Sequence, residues 1–196
     1  MGIVVVCLYV ACEIIANVTA GKPVRVFSLV VPSAVFIYTL TFTLIDLLHE
    51  IYGRDGARKV IIGAFLGNAL LACYSVLVVK LPPAPFFSEG RAYEIVFGQT
   101  PRIVFASLTA YLVSSLLDVE VYHLWRRREK AQRWSRVIVS NGVSTFVDSV
   151  VFISIAFLGL MPVSALILGQ YVVKMAVSLV TVPLIYATRA TVLGQA

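Results

Sequence analysis

The sequence predicts an all-α integral membrane protein: a bundle of six transmembrane helices with both termini in the cytoplasm. Composition, the length of the apolar runs and the placement of basic residues lead there together. Of 196 residues, 60% are hydrophobic and only 13% are charged, with a mean hydropathy of +0.94. Soluble domains carry about 25% charged residues. One soluble core cannot hide this much apolar surface, so lipid must cover the rest. The length suits a single membrane domain over residues 1–196, multi-pass in the cell membrane, with no appended soluble domain.

A span needs roughly 20 mostly apolar residues. Six candidates follow in order, at about 2–20, 28–52, 59–81, 102–125, 137–160 and 163–187. The first run has no basic residue before Lys22. It therefore reads as a retained helix rather than a cleaved leader, although Glu13 and Asn17 interrupt it. Pro101 fits the first turn of the fourth helix, where a missing N–H costs little. Gly159 and Pro162 separate the last two spans, and Pro183 kinks or ends the sixth. The stretch from Pro82 to Thr100 is the one sizeable external loop, with Tyr93–Phe97 on the membrane surface or over the bundle mouth.

Basic residues set the orientation. Ten fall on one side: Arg54, Arg58 and Lys59, then Arg126, Arg127, Arg128, Lys130, Arg133 and Arg136, and finally Arg189. Five fall on the other: Lys22, Arg25, Lys80, Arg91 and Arg102. The richer side belongs in the cytoplasm. The net charge of +6 thus reads as a topology signal rather than a nucleic-acid surface. Cys7, Cys12 and Cys73 lie in apolar runs without CxxC spacing, and read as small buried hydrophobes. His49 and His123 form no ligand spacing, so no metal site is expected. No Walker A, GxSxG, HExxH or dinucleotide fingerprint occurs, so neither an enzyme nor a cofactor is expected. Transport would need an ion gradient, a downhill substrate gradient or a separate energising partner.

Chemistry then rests on polar groups inside the spans. A charge near the bilayer centre costs roughly 2.5–3.5 kcal/mol on insertion scales, so it is a functional candidate by default. Asp148 and Lys174 each lie at mid-depth of their spans. They meet if the last two helices are antiparallel neighbours, either as a mutually neutralising structural pair or as a site for a substrate or a proton. Gln170 and Tyr171 share a helix face with Lys174; Asn141 and Thr145 share one with Asp148. Glu13 and Asn17 form an i, i+4 pair on the first helix, facing a cavity or, for Asn17, bridging helices. Asp46 and Asp118 lie near the cytoplasmic ends of the second and fourth helices. They either pair with nearby arginines or act as a gate or proton relay, and Arg102 is a third candidate for that role. Among Phe36, Tyr38, Phe42, Tyr111, Phe146, Phe152 and Tyr171, one or two are available to stack on a flat ring. Gly63-x-x-x-Gly67 permits close helix packing, within the chain or in a homo-oligomer.

Four blocks resemble the queuosine precursor transporters, a vitamin uptake transporter family. "VPSAVFIYTLTFTLIDLLHEIYGRDGARKVI" carries Asp46, Tyr52, Gly53, Ala57 and Arg58. "RIVFASLTAYLVSSLLDVEVYHLWRRR" carries Arg102, Ser107, Ala110, Tyr111 and Asp118. "STFVDSVVFISIAFLG" centres on Asp148, and "QYVVKMAVSLVTVPLIY" holds Tyr171, Lys174 and Pro183. Asn17 matches the family's first-helix asparagine. Ser115 and Thr145 depart from it, standing where members often carry Gln, and Asn or Gln. The resemblance implies uptake of a 7-deazaguanine, such as 7-cyano-7-deazaguanine or its aminomethyl relative, for tRNA modification. The residues suit such a ring: Asp148 or Glu13 can accept its edge N–H donors in pairs, Lys174, Asn17 or Gln170 can serve its carbonyl and nitrile, and Tyr171 or Phe146 can stack on its face. The competing expectation is a substrate-binding subunit that needs a separate ATPase module, docked through Gly63, Ala64 and Gly67.

Overall fold

Gly53 decides how the longest helix is used. The computed structural model describes residues 2–126 and 133–177; side chains at 42, 46, 118–126 and 133–141 lie outside that description. Helix α1 is Gly2–Thr19, followed by β1 (Pro23–Val26), β2 (Leu29–Pro32), α2 (Val35–Lys80), α3 (Gly90–Arg126) and α4 (Arg133–Phe157). Helix α5 covers Val163–Val177. Within α2, Gly53 has φ 67 and ψ −176, a conformation open essentially to glycine alone. A straight helix would hold Leu44 and Ala64 about 30 Å apart. Instead both pack in one cluster around Tyr9 of α1, with Leu48 and Ala57. The helix therefore folds back at Gly53 into two arms, 35–52 and 54–80, and both lie against α1.

Three helical stretches are long and apolar enough to cross a membrane: Gly2–Thr19, Leu47–Lys80 and Gly90–Leu117. Val35–Ile45, Gly142–Phe157 and Val163–Val177 are apolar but shorter. Their outward surface is greasy. Ile3, Leu66, Leu70 and Phe105 are all more than 60% exposed, which suits a lipid boundary and not water. The described chain is thus a mostly helical membrane protein.

Three sequence expectations need correction. Residues 23–32 are a two-stranded antiparallel hairpin, with Val24 opposite Val31 and Val26 opposite Leu29, so the fold is not purely helical and α2 starts later than residue 28. Alternating valines favour the strands, and Pro23 and Pro32 sit at the hairpin's base, where ladder donors are dispensable. Second, residues 90–100 are helical, so the loop shrinks to 81–89 and Pro101 lies inside α3. Edge-to-face and tilted contacts along Phe87, Tyr93 and Phe97 line that helical start. Third, the small-residue contact of the second α2 arm does not run through the glycines. A Cβ on Gly63 would meet nothing within 4 Å, and one on Gly67 would only just reach Val10. Ala57 and Ala64 make the approach to α1 instead. The expected end of the last span, with Pro183, lies outside the described residues.

The hairpin seals one end of the bundle. Val31 and Pro32 are fully buried, beside a cluster of Ala16, Ala20, Ala34, Ile103, Ala106, Phe157 and Leu166 drawn from α1, α3, α4 and α5. Ser33 ties its base to α1, Oγ donating to the Thr19 carbonyl at 2.6 Å and N–H donating to the Lys22 carbonyl at 2.8 Å. At the same end, the Arg102 guanidinium donates to the carbonyls of Ile155 (2.6 Å) and Leu158 (2.8 Å). These are carbonyls at the C-terminus of α4, where the helix dipole favours a cation. Gly159 then turns the chain with φ 85, and α5 returns.

Gly169 makes the tightest of these contacts. A Cβ there would fall on the Val30 carbonyl oxygen and carbon, both backbone atoms. Gly169→Ala is expected to push the hairpin off α5 and lower stability by about 1–3 kcal/mol, measured as the thermal midpoint in detergent. Gly63→Ala, which fills open space, is expected to leave that midpoint level or slightly raised. Equal midpoints for the two variants would refute the close approach.

Candidate functional site

The fold brings α4 and α5 together as antiparallel neighbours, because only a short turn at Gly159 and Pro162 separates them. Asp148 and Lys174 meet as a result: Nζ lies 2.5 Å from Oδ2, with side chains 14% and 7% exposed. The ammonium also sits 4.5 Å from the ring centre of Tyr38 on α2, a cation–π contact. A buried pair of this kind must offset the loss of water by close geometry and further partners. Tyr38 supplies one.

The pair lies in the shared wall of two cavities. The larger is about 220 Å³ and the smaller about 40 Å³; Tyr38, Ser107, Asp148 and Lys174 line both. The larger holds the share of about seven liquid waters, enough for one flat bicyclic ring. It extends away from the hairpin, past Tyr9 and Glu13 on α1, Thr41 and Ile45 on one α2 arm, Ile61 and Asn68 on the other, and Tyr111 and Ser115 on α3. The smaller lies against the hairpin end, bounded by Pro32, Ala34, Phe152, Asn17 and Gln170.

Several hydroxyls on the larger wall turn their single proton onto the helix backbone. Thr41 donates to the Tyr38 carbonyl (2.6 Å), Ser114 to the Tyr111 carbonyl (3.2 Å), and Ser115 to that same carbonyl. Each keeps its lone pairs as acceptors. With the carboxylates of Glu13 and Asp148, the wall is rich in acceptors.

The candidates from the sequence divide. Asp148, Lys174 and Glu13 line the larger cavity. Gln170, 3% exposed, lines the smaller. Asn17 also reaches the smaller cavity, but its amide donates to Asn68 Oδ1 (2.8 Å) and to the Glu13 carbonyl (3.2 Å). It bridges α1 to α2, and Asn68 in turn donates to the Ala64 carbonyl (3.0 Å). Tyr171 lines neither cavity; it stands edge-on to Phe146 at 5.5 Å. The aromatic surface of the larger cavity comes instead from Tyr9, Tyr38, Phe65 and Tyr111. Arg102 is engaged at the end of α4, away from the larger cavity. The side chains of Asp46 and Asp118 lie outside the described residues. Among the described residues, no group of three His, Cys, Asp or Glu could hold a metal ion.

Sequence reading missed Tyr9, Asn68 and Ser144 of the larger cavity. Asn68 had a usable signal: an amide inside an apolar run, eclipsed by the neighbouring glycine motif. Tyr9 had none, since a tyrosine near a helix end reads equally well as an interfacial anchor.

Sequence comparison places the chain in a family. A family model described as "Putative vitamin uptake transporter" matches residues 32–188. A "Probable queuosine precursor transporter" of Bacillus subtilis (strain 168) is 34% identical over 179 residues, covering 89% of this chain and 78% of that protein. A protein of the same name from Haemophilus influenzae is 33% identical over 132 residues, 61% of this chain and 50% of its own length. No solved structure matches the chain. With most of its length matched by the family model and by a relative at this identity, the chain belongs to the vitamin uptake transporter family, whose members are membrane transporters and not enzymes.

Proposed function

We propose that this protein imports a queuosine precursor, a 7-deazaguanine such as 7-cyano-7-deazaguanine or its aminomethyl relative, across the cell membrane for tRNA modification. It works as one six-span domain with both termini in the cytoplasm. The printed names of the two relatives support the substrate class. The observation that carries the reading is the Asp148–Lys174 pair, held at 2.5 Å in the wall of a cavity sized for one bicyclic ring.

A guanine-like edge presents adjacent N–H donors, which a carboxylate accepts in pairs. Asp148 is the natural acceptor, and binding exchanges its ammonium partner for the substrate edge. Lys174 then serves the ring carbonyl, with Glu13 as a second acceptor across the cavity. Gln170, with Asn17 beside it, serves a nitrile or aminomethyl group reaching toward the smaller cavity. Tyr38, Tyr9 or Tyr111 offers a face for stacking. Asp46 and Asp118 remain proposed gate or relay groups at the cytoplasmic ends of their helices. The richer set of basic residues faces the cytoplasm, so the hairpin faces outside and the larger cavity extends toward the inside.

Proteoliposomes holding only this protein are expected to take up labelled 7-cyano-7-deazaguanine saturably, with guanine competing. Tight binding without uptake would favour a binding subunit that needs an ATPase module. Neither binding nor uptake would refute the substrate class. Asp148→Asn is expected to cut uptake roughly tenfold to hundredfold, the loss of a charge-assisted hydrogen bond.

A double-variant cycle separates structure from function at the pair. Lys174→Met alone strands a buried carboxylate and is expected to lower stability by about 3–5 kcal/mol. Adding Asp148→Asn removes the stranded charge, so the double variant is expected to regain most of the thermal midpoint while uptake stays lost. Uptake that returned together with stability would make the pair a structural element only.

A further inference from the structure

We propose that Glu13 is the proton-binding site that couples uptake to a proton gradient, one proton entering with each substrate. This rests on the transport reading above and goes beyond it by assigning the coupling ion and its site.

Charge and geometry carry the inference. Among the described residues the larger cavity is lined by two carboxylates, Glu13 and Asp148, and one ammonium, Lys174. Asp148 takes the ammonium at 2.5 Å. Glu13 has no ion pair among the described residues; its helix neighbour Asn17 donates to the Glu13 backbone carbonyl and leaves the carboxylate alone. The ionisable groups that share this cavity are Tyr9 from α1, Tyr38 from α2, Tyr111 from α3, Asp148 from α4 and Lys174 from α5. Lys174 is the sole cation among them. A second carboxylate in this setting stays charged at a cost that grows as water leaves the cavity. Taking up a proton balances the described charges of the lining, leaving one carboxylate against one ammonium. It also gives Glu13 one O–H donor beside its remaining acceptor, so the protonated form can meet a carbonyl and an N–H of a purine-like edge together.

The step balances simply. An external hydronium releases its proton to a Glu13 carboxylate oxygen, an O–H bond forms, and water departs. After the site turns inward, the same O–H bond breaks and the proton passes to cytoplasmic water. Because substrate prefers the protonated site, proton and substrate strengthen each other's binding by the same factor. Glu50, exposed on the first arm of α2 and outside the lining of both cavities, is a carboxylate of the same helix pair and serves as the control.

The decisive readout is the steady-state accumulation of labelled 7-cyano-7-deazaguanine in proteoliposomes under an imposed pH gradient. This ratio is thermodynamic and does not depend on rate. The unmodified protein is expected to hold about tenfold accumulation per pH unit, acidic outside, for one proton per substrate. Glu13→Gln is expected to bring the ratio to unity, however fast or slow its residual exchange. Glu13→Asp is expected to restore accumulation, and Glu50→Gln to leave the ratio intact. Proton uptake on substrate binding in weakly buffered detergent gives a second count, expected to be lost in Glu13→Gln if that variant binds, and retained in Glu50→Gln. Accumulation that follows a sodium gradient instead, or that persists in Glu13→Gln, or that vanishes equally in Glu50→Gln, would overturn the proposal while leaving substrate transport standing. An unmodified protein that neither binds nor moves the probe would fail the transport reading itself.

Discussion

Everything around the cavity is organised by one lysine that had to be neutralised. Lys174 lies on the apolar helix α5 with its side chain 7% exposed, where an unpaired ammonium is among the least tolerated groups. Its partner must come from a helix at the same depth. The short turn after Gly159 supplies that, because it returns α5 antiparallel to α4 and brings Lys174 level with Asp148. Tyr38 closes the third side, which draws the first arm of α2 to the same point. The pair therefore fixes the relative height of three elements. A polar cavity can exist beside it because the charges are already matched there.

The two ends of the bundle are built differently. At the hairpin end, Ala16, Ala20, Ala34, Ala106 and Ala156 leave room for close backbone approach, and Gly169 lets α5 touch the Val30 carbonyl. Arg102 closes the carbonyls that α4 leaves open at its C-terminus. Strand backbone is tolerated at such a place only where its polar groups are paired and buried in protein, and the hairpin ladder together with Ser33 meets that demand. Beyond the ion pair the packing loosens into the larger cavity. The arrangement is shut beside the hairpin and roomier away from it, as an alternating-access carrier is when it faces one side.

Much of this was legible from residues. Runs of apolar sequence located the helical stretches, since lipid demands length and hydropathy before anything else. The meeting of Asp148 with Lys174 followed from equal depth and a short connection. The hairpin was hidden because Val30 and Val31 raise hydropathy whether in strand or helix, and a window average cannot separate the two. Rotation about a helix axis was hidden too. At about 100° per residue, Gln170 lies about 40° from Lys174 on one side and Tyr171 about 60° on the other. Spacing alone grouped all three, and only packing chose Gln170 for the cavity side. The glycine motif at 63 and 67 drew attention from Ala64 and Asn68, a contact that rests on which side of the arm meets α1.

Ser115 and Thr145 stand where relatives of the resembling family often carry longer amides, and the cavity gives that difference a physical sense. An amide brings both donors and an acceptor into a site. A hydroxyl whose proton is committed to its own helix brings acceptors only, as Thr41, Ser114 and Ser115 do here. At Ser115 such a hydroxyl is shorter than an amide and adds no free donor. Among the described residues the wall then sets these acceptors and two carboxylates beside one ammonium and the phenols of Tyr9, Tyr38 and Tyr111. A ligand rich in carbonyls would leave those lone pairs unmet once water is expelled, at about 1–3 kcal/mol for each group stranded. A ligand with a continuous edge of N–H donors meets them. On the proposed reading, a donor-rich flat heterocycle suits the acceptors that the serine and threonine protons leave free.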